Sequence, residues 1–88
     1  MSSTLFLLMA QYNGMAVIPL DTVQRDYFSH LTPDHLIRKI NLGEIELPLV
    51  RIEASQKAAK GIALTDLATY LDERIAAARK ETRQLRAV

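Results

Sequence analysis

Between residues 51 and 62 the chain reads RIEASQKAAKGI, a polar stretch that sets Arg51, Ser55, Gln56, Lys57 and Lys60 close together. Guanidinium, hydroxyl, amide and ammonium groups all donate hydrogen bonds, and a phosphate oxygen accepts from each of them. The chemistry open to such a stretch is the holding of a nucleic-acid backbone. A second polar group precedes it, with Thr32, Asp34, His35, Arg38 and Lys39 spaced along one helical segment. Arg38 leads there, because its planar fork can donate two parallel bonds to a guanine edge. Gln24 and Arg25 add candidate phosphate donors from the segment before.

Catalysis finds no comparable set. His30 and His35 are the only imidazoles, there is no cysteine, and three glycines form no phosphate-cradling pattern. Asp21, Asp26, Asp66 and Asp72 read as helix caps and solvated carboxylates rather than acid/base pairs. His30 reads as a turn residue. The expectation is a chain that is not an enzyme and needs neither metal nor cofactor.

Eighty-eight residues support one core and hence one domain spanning residues 1–88. A net charge of +1 hides an asymmetry: residues 1–50 hold three basic and five acidic side chains, and residues 51–88 hold eight and five. The balance moves from −2 to +3, and the basic excess begins at the polar stretch. The absence of cysteine suits a reducing compartment, so the cytoplasm is expected. The apolar run Leu5 to Ala10 has no basic residue before it and is too short to span a bilayer, so no membrane partner is expected.

The polar residues need elements to carry them. Residues 4–13 read as a helix with Thr4 as N-cap and Gly14 at its end. Ala16 to Leu20 reads as extended, since Pro19 moves Ile18 away from helical dihedrals. A helix capped by Asp21 then runs from Thr22 to Ser29, with Val23, Tyr27 and Phe28 inward and Gln24, Arg25 and Asp26 wet. Three signals fix the next helix: Thr32 caps it, Pro33 fills its first turn, and Gly43 stops it. Leu36, Ile37 and Ile40 form its apolar stripe. Leu49 to Ile52 and Gly61 to Leu64 read as two strands around the polar loop, with Gly61 giving the loop freedom to return. From Thr65 a long helix carries Leu67, Leu71, Ile75, Ala78, Thr82 and Leu85 at helical intervals.

The implied fold class is mainly α with a small β-hairpin, a winged helix-turn-helix with an additional N-terminal helix (1–14) and a long C-terminal helix (65–88). In that architecture the second helix of the pair enters the major groove and the hairpin reaches the adjacent backbone. Taken alone, Arg38 and Lys39 read as a solvated helix face and the loop as a solvated tip; the order of elements gives them a use. The first helix is apolar nearly all round, so it must be enclosed. Beyond Arg74 the last helix outruns the body. Leu5, Leu8, Met9, Ile75, Ala78, Thr82 and Leu85 are therefore the candidate dimerisation residues of a homodimer.

The stretches AQYNGMAVIPLDTVQRDYFSHLTP and IRKINLGEIELPLVRIEASQKAAKGIALTDLATYLDER resemble the pyocin activator protein family, PrtN, over residues 4 to 75. The run from Leu31 through Arg38 and Lys39 to LPLVRIEASQKAAKG is its most specific part. The resemblance implies a transcriptional activator that binds double-stranded DNA upstream of bacteriocin or prophage genes and helps to recruit RNA polymerase. More distantly, RKINLGEIELPLVRI followed by IALTDLATYLDER looks like excisionase and MerR-type winged helices. The alternatives are thus an excisionase-like directionality factor or a protein-interaction module such as an antirepressor.

Overall fold

The computed structural model describes residues 3–55 and 57–86. In chain order the elements are α1 (Ser3–Gln11), β1 (Val17–Pro19), α2 (Leu20–Tyr27), α3 (Pro33–Asn41), β2 (Val50–Arg51), β3 (Lys60–Ala63) and α4 (Leu64–Arg86). The fold is mainly helical, with a small antiparallel sheet in the order β1-β3-β2. The expected hairpin therefore has a third strand. Val17, Ile18 and Pro19 pair with Ala63, Ile62 and Gly61. Pro19 tolerates this place because β1 is an edge and the missing N–H breaks no inner ladder.

Gly61 is needed for a reason other than loop freedom. Its φ lies outside the left-handed region, where only Gly14 and Gly43 among the described glycines are found. A Cβ on Gly61 would meet the Ile18 carbonyl oxygen at 2.6 Å and Val17 Cγ1 at 2.7 Å. Only a residue without a side chain lets β1 lie against β3 in this way.

The predicted start and stop of α3 are both present. Thr32 Oγ1 accepts from the His35 backbone N–H at 3.2 Å, and Pro33 fills the first helical position. Gly43, at φ +76, donates to the Ile40 carbonyl at 3.1 Å, and Glu44 donates to that of Lys39 at 2.9 Å. These two bonds close the last turn as a Schellman motif.

Other boundaries differ from the sequence reading because backbone partners replace side-chain caps. α1 starts at Ser3, so Thr4 lies inside its first turn. At its end Asn13 (φ 54) takes the left-handed cap position expected of Gly14, which donates to the Met9 carbonyl at 2.8 Å. α2 follows directly on β1, flanked by Pro19 with no side-chain cap; Asp21 sits in its first turn and accepts only from Thr22 N–H. α4 starts at Leu64 rather than after Thr65, and Leu64 N–H donates to the Ala16 carbonyl at 2.9 Å. β2 is shorter than expected, leaving Leu49 half-buried and Ile52 exposed on either side.

The core gathers one or more residues from nearly every element. Ile18, Val23, Leu36, Ile62 and Leu67 are fully buried, joined by Leu8, Phe28, Ile45 and Leu47. Among the described residues no polar or charged side chain is buried. α1 packs along α4, whose buried residues Leu64, Leu67 and Ala68 all belong to its first turns. The rest of α4 projects, giving extents of 52 × 28 × 19 Å. Among the described residues no helix is long and apolar enough to cross a membrane.

Two side-chain bonds tie α1 to α2. The Tyr12 hydroxyl donates to Asp26 Oδ2 at 2.7 Å, and the Tyr27 hydroxyl donates to Gln11 Oε1 at 2.9 Å. Asp26 is exposed, as expected, and is in addition a tertiary acceptor that also takes Arg25 Nε at 3.2 Å. The Tyr12 hydrogen bond, seconded by Arg25, holds the Asp26 carboxyl below its usual range. Burial, then the bond to Asp26, pushes the Tyr12 phenol above its usual value.

Two predictions follow from this architecture. Gly61→Ala should force β1 from β3 and lower stability by about 1–3 kcal/mol, read from urea unfolding curves; an unchanged midpoint would refute the close-approach argument. Asp26, with its folded pKa depressed, stabilises above the ordinary aspartate range, and that contribution is lost as pH falls through its folded value. Tyr12, with its folded pKa raised, stabilises below the ordinary tyrosine value and loses this as pH rises through the folded one. Tyr12→Phe should therefore flatten both the acid and the alkaline limb of a stability–pH profile.

Candidate nucleic-acid interface

α3 is positioned by its own ends and by a brace at its entry. Gln24 Nε2 in α2 donates to the Leu31 carbonyl at 2.6 Å, and Leu31 N–H donates to the Phe28 carbonyl at 2.9 Å. The turn between α2 and α3 is thereby fixed, and the Gln24 amide is engaged in holding it. Its neighbour Arg25 is exposed but paired with Asp26 at 3.2 Å.

With 3.6 residues per turn, His35 and Arg38 project opposite the stripe of Leu36, Ile37 and Ile40. Thr32, Asp34, His35 and Arg38 are all exposed. Lys39 does not share that surface: it is half-buried and lines a cleft of ≈ 350 Å³ with Phe28, His30, Leu31, Tyr70 and Arg74. The cations that adjoin in sequence thus serve two sides of the helix. Conversely, the cleft gathers His30, Lys39 and Arg74 from three separate parts of the chain, a grouping that sequence spacing does not reveal.

The loop between β2 and β3 is organised from within. Ile52 N–H donates to the Ala59 carbonyl at 3.0 Å, extending the ladder past Arg51. Ser55 Oγ accepts from Lys57 N–H at 3.1 Å, and the Ser55 carbonyl accepts from Ala58 N–H at 3.1 Å. The Ser55 hydroxyl therefore shapes its own turn. Ala58 is buried and anchors the return, while Arg51, Ser55 and Lys57 are exposed and Lys60 is half-buried. Gln56 lies outside the described residues.

Register decides which way the base of this loop faces. Arg51 stands directly across the ladder from Lys60. Side chains alternate along a strand, so Lys60 shares a face with Ile62, and Ile62 pairs with Ile18. Both isoleucines are fully buried in the core beside Leu36 and Val23. Arg51 and Lys60 consequently project from the helix-covered face of the sheet, at the end where the core stops.

The residues expected to meet a partner chain divide as well. Leu8 is only 2% exposed and belongs to the core of its own chain, so it is not a surface residue. Leu5 is half-buried against that core. Met9 is exposed, as are Phe6 and Leu7, which the sequence did not single out. A helix apolar on all sides gives no signal of which arc turns inward. On α4, Ile75, Ala78, Thr82 and Leu85 are all exposed. Among the described residues, no group of three His, Cys, Asp or Glu side chains is placed to hold a metal ion.

No curated protein and no solved structure matches the chain. A family model does, described as pyocin activator protein PrtN, and its match runs over residues 4–78. That span takes in α1 from Thr4, all three strands, both helices around the Gln24 brace, and α4 as far as Ala78. On this match the chain belongs to the pyocin activator protein PrtN family.

Proposed function

We propose that the chain is a sequence-specific DNA-binding activator of pyocin or prophage genes, built as a winged helix-turn-helix and acting in the cytoplasm as a homodimer. It works by binding, not by catalysis. The single observation that carries this reading is the placement of Arg51 and Lys60 on the helix-covered face of the sheet, at the same end as the loop. α2 and α3 form the helix pair, α3 lies in the major groove, and the β2–β3 loop rests on the neighbouring backbone. Arg38 contacts a base edge, with His35, Asp34 and Thr32 beside it. Arg51, Ser55, Gln56, Lys57 and Lys60 hold phosphates, Lys39 and Arg25 act at the flanks, and Gln24 acts mainly by fixing the turn. RNA polymerase is the further partner proposed for activation.

A protein-interaction module is the second reading, favoured by the exposed apolar arc of Phe6, Leu7 and Met9 on α1. Salt separates the two, since binding through several phosphates weakens steeply with ionic strength and a neutral protein interface does not.

Band-shift titrations at two salt concentrations provide the test. Arg38→Ala should cost about 1–3 kcal/mol on the specific site and relax discrimination at one base pair. Lys57→Ala should weaken all sequences alike and lower the salt slope by about one. Equal losses on specific and random DNA for both variants would sink the assignment. Arg51→Thr, like Lys57→Ala, should weaken binding to specific and random DNA alike.

A further inference from the structure

We infer that two copies of the chain associate through antiparallel α4 helices, in the register that sets Ile75 against the partner's Ala78 and Leu71 against the partner's Thr82. This rests on the homodimer of the preceding section and fixes which faces meet; it does not depend on DNA.

The seam is legible along α4. Leu64, Ala68, Leu71, Ile75, Ala78, Thr82 and Leu85 follow one another at alternating spacings of four and three, the seven-residue repeat of a helix packed along a seam. The first members of the series are buried in the chain's own core, Leu71 is half-buried, and from Ile75 onward the same stripe is exposed. Body and projection share one stripe. Its outer part is a shallow trough of ≈ 410 Å³ lined by Ile75, Ala78, Arg79, Thr82 and Arg83. Along the stripe this trough runs toward Leu71 and Arg74, which line the cleft beside α3. A partner helix laid in the trough would carry its Thr82 and Leu85 to the mouth of that cleft.

Charge selects the orientation. The charged positions flanking the stripe on one side are Asp72, Arg79 and Arg86, and on the other Arg74 and Glu81. In a parallel pair, flanking positions of opposite sides meet: Arg74 would face the partner's Arg79, which offsets the one favourable contact, Glu81 with the partner's Arg86. In an antiparallel pair, flanking positions of the same side meet. The proposed register then joins Asp72 to the partner's Arg79 and Arg74 to the partner's Glu81, and each contact occurs twice by symmetry. Sliding by one repeat in either direction sets like charges together. In one direction Asp72 comes near the partner's Asp72 and Arg74 near the partner's Arg74. In the other, Arg79 near the partner's Arg79 and Glu81 near the partner's Glu81 offset the contacts of Asp72 with the partner's Arg86. Only the proposed register makes every charged contact favourable. Size agrees with charge, since Ile75 fills the space left by the partner's Ala78.

Among the described residues none of Asp72, Arg74, Arg79 and Glu81 makes an ion pair within the chain. None of the four has an opposite charge three or four residues away on α4, where a free-standing helix gains its ion pairs. Among the described residues the one ion pair is Arg25 with Asp26. Arg79 and Arg83 stand four apart with like charge, an arrangement that weakens an isolated helix.

Sedimentation of the full chain without DNA tests the proposal. The chain should form a dimer, and Asp72→Arg or Arg74→Glu should raise its dissociation constant tenfold or more. The paired reversals D72R/R79D and R74E/E81R should bring it back to within about threefold of the original, with circular dichroism confirming the fold of each variant. Because the chain has no cysteine, Ile75→Cys chains mixed with Ala78→Cys chains should form the mixed disulfide in preference to either self-linked pair. A monomer at all concentrations would overturn both the seam and the homodimer. A dimer indifferent to the charge reversals, or one in which Ile75→Cys links to itself, would overturn the seam alone and leave the DNA-binding reading standing.

Discussion

The close approach of β1 to β3 at Gly61 governs the rest of the arrangement. With the Ile18 carbonyl 2.6 Å from where a Cβ would stand, the two strands lie in contact and lock Ile18 opposite Ile62. That pair is fully buried, and its burial removes any freedom in the register, since a slip of one strand by one residue would turn its isoleucine to the other face. The same parity runs on to Lys60 and across to Arg51. Core and loop are thus aimed by one constraint. The cations at the base of the loop point where they do because two isoleucines must be dry.

Legibility in the sequence followed the locality of the signal. α3 could be read end to end because Thr32, Pro33 and Gly43 act within a few residues of the backbone groups they satisfy. α4 could not be started correctly, because the group that meets its first N–H is the carbonyl of Ala16, distant in sequence. β1 was visible as extended chain but not as a strand, since three residues acquire that status only from a partner. Asp26 looked like any solvated carboxylate until Tyr12 was brought to it. The candidate interface shows the same division: Arg38 stood out from its helical spacing, whereas the placing of Lys39 in one cleft with Tyr70 and Arg74 depends on tertiary structure that brings residues distant in sequence together.

The polar residues of the α2–α3 turn and the loop also show why a list of donors is not a list of contacts. Gln24 uses a donor on the Leu31 carbonyl, and Ser55 Oγ accepts from Lys57 N–H, so each side chain helps to fix a turn, while the Ser55 hydroxyl keeps its own proton to donate. Such groups contribute by pre-ordering the segments that carry Arg38 and Lys57, which lowers the entropy lost when a partner is bound. A near-neutral chain of +1 gains little from its overall field. On the proposed reading, affinity for a polyanion comes from a few well-held cations, and the braces supply that holding.

The long helix connects this local order to the spacing of two sites. In the proposed seam the α4 helices cross at a point between Ile75 and Ala78, so their first residues lie about 37 Å apart along the axis at a rise of 1.5 Å per residue. Each of those ends is seated in a core that also contains Leu36 of α3, and the body moves with its helix. One turn of B-DNA is about 34–36 Å, the separation at which two-fold related recognition helices meet successive major grooves on one side of a duplex. The pitch of a stripe that begins as core and continues as interface would then set the spacing of half-sites, and lengthening α4 by a heptad on the projecting side would change that spacing without touching any residue at the DNA.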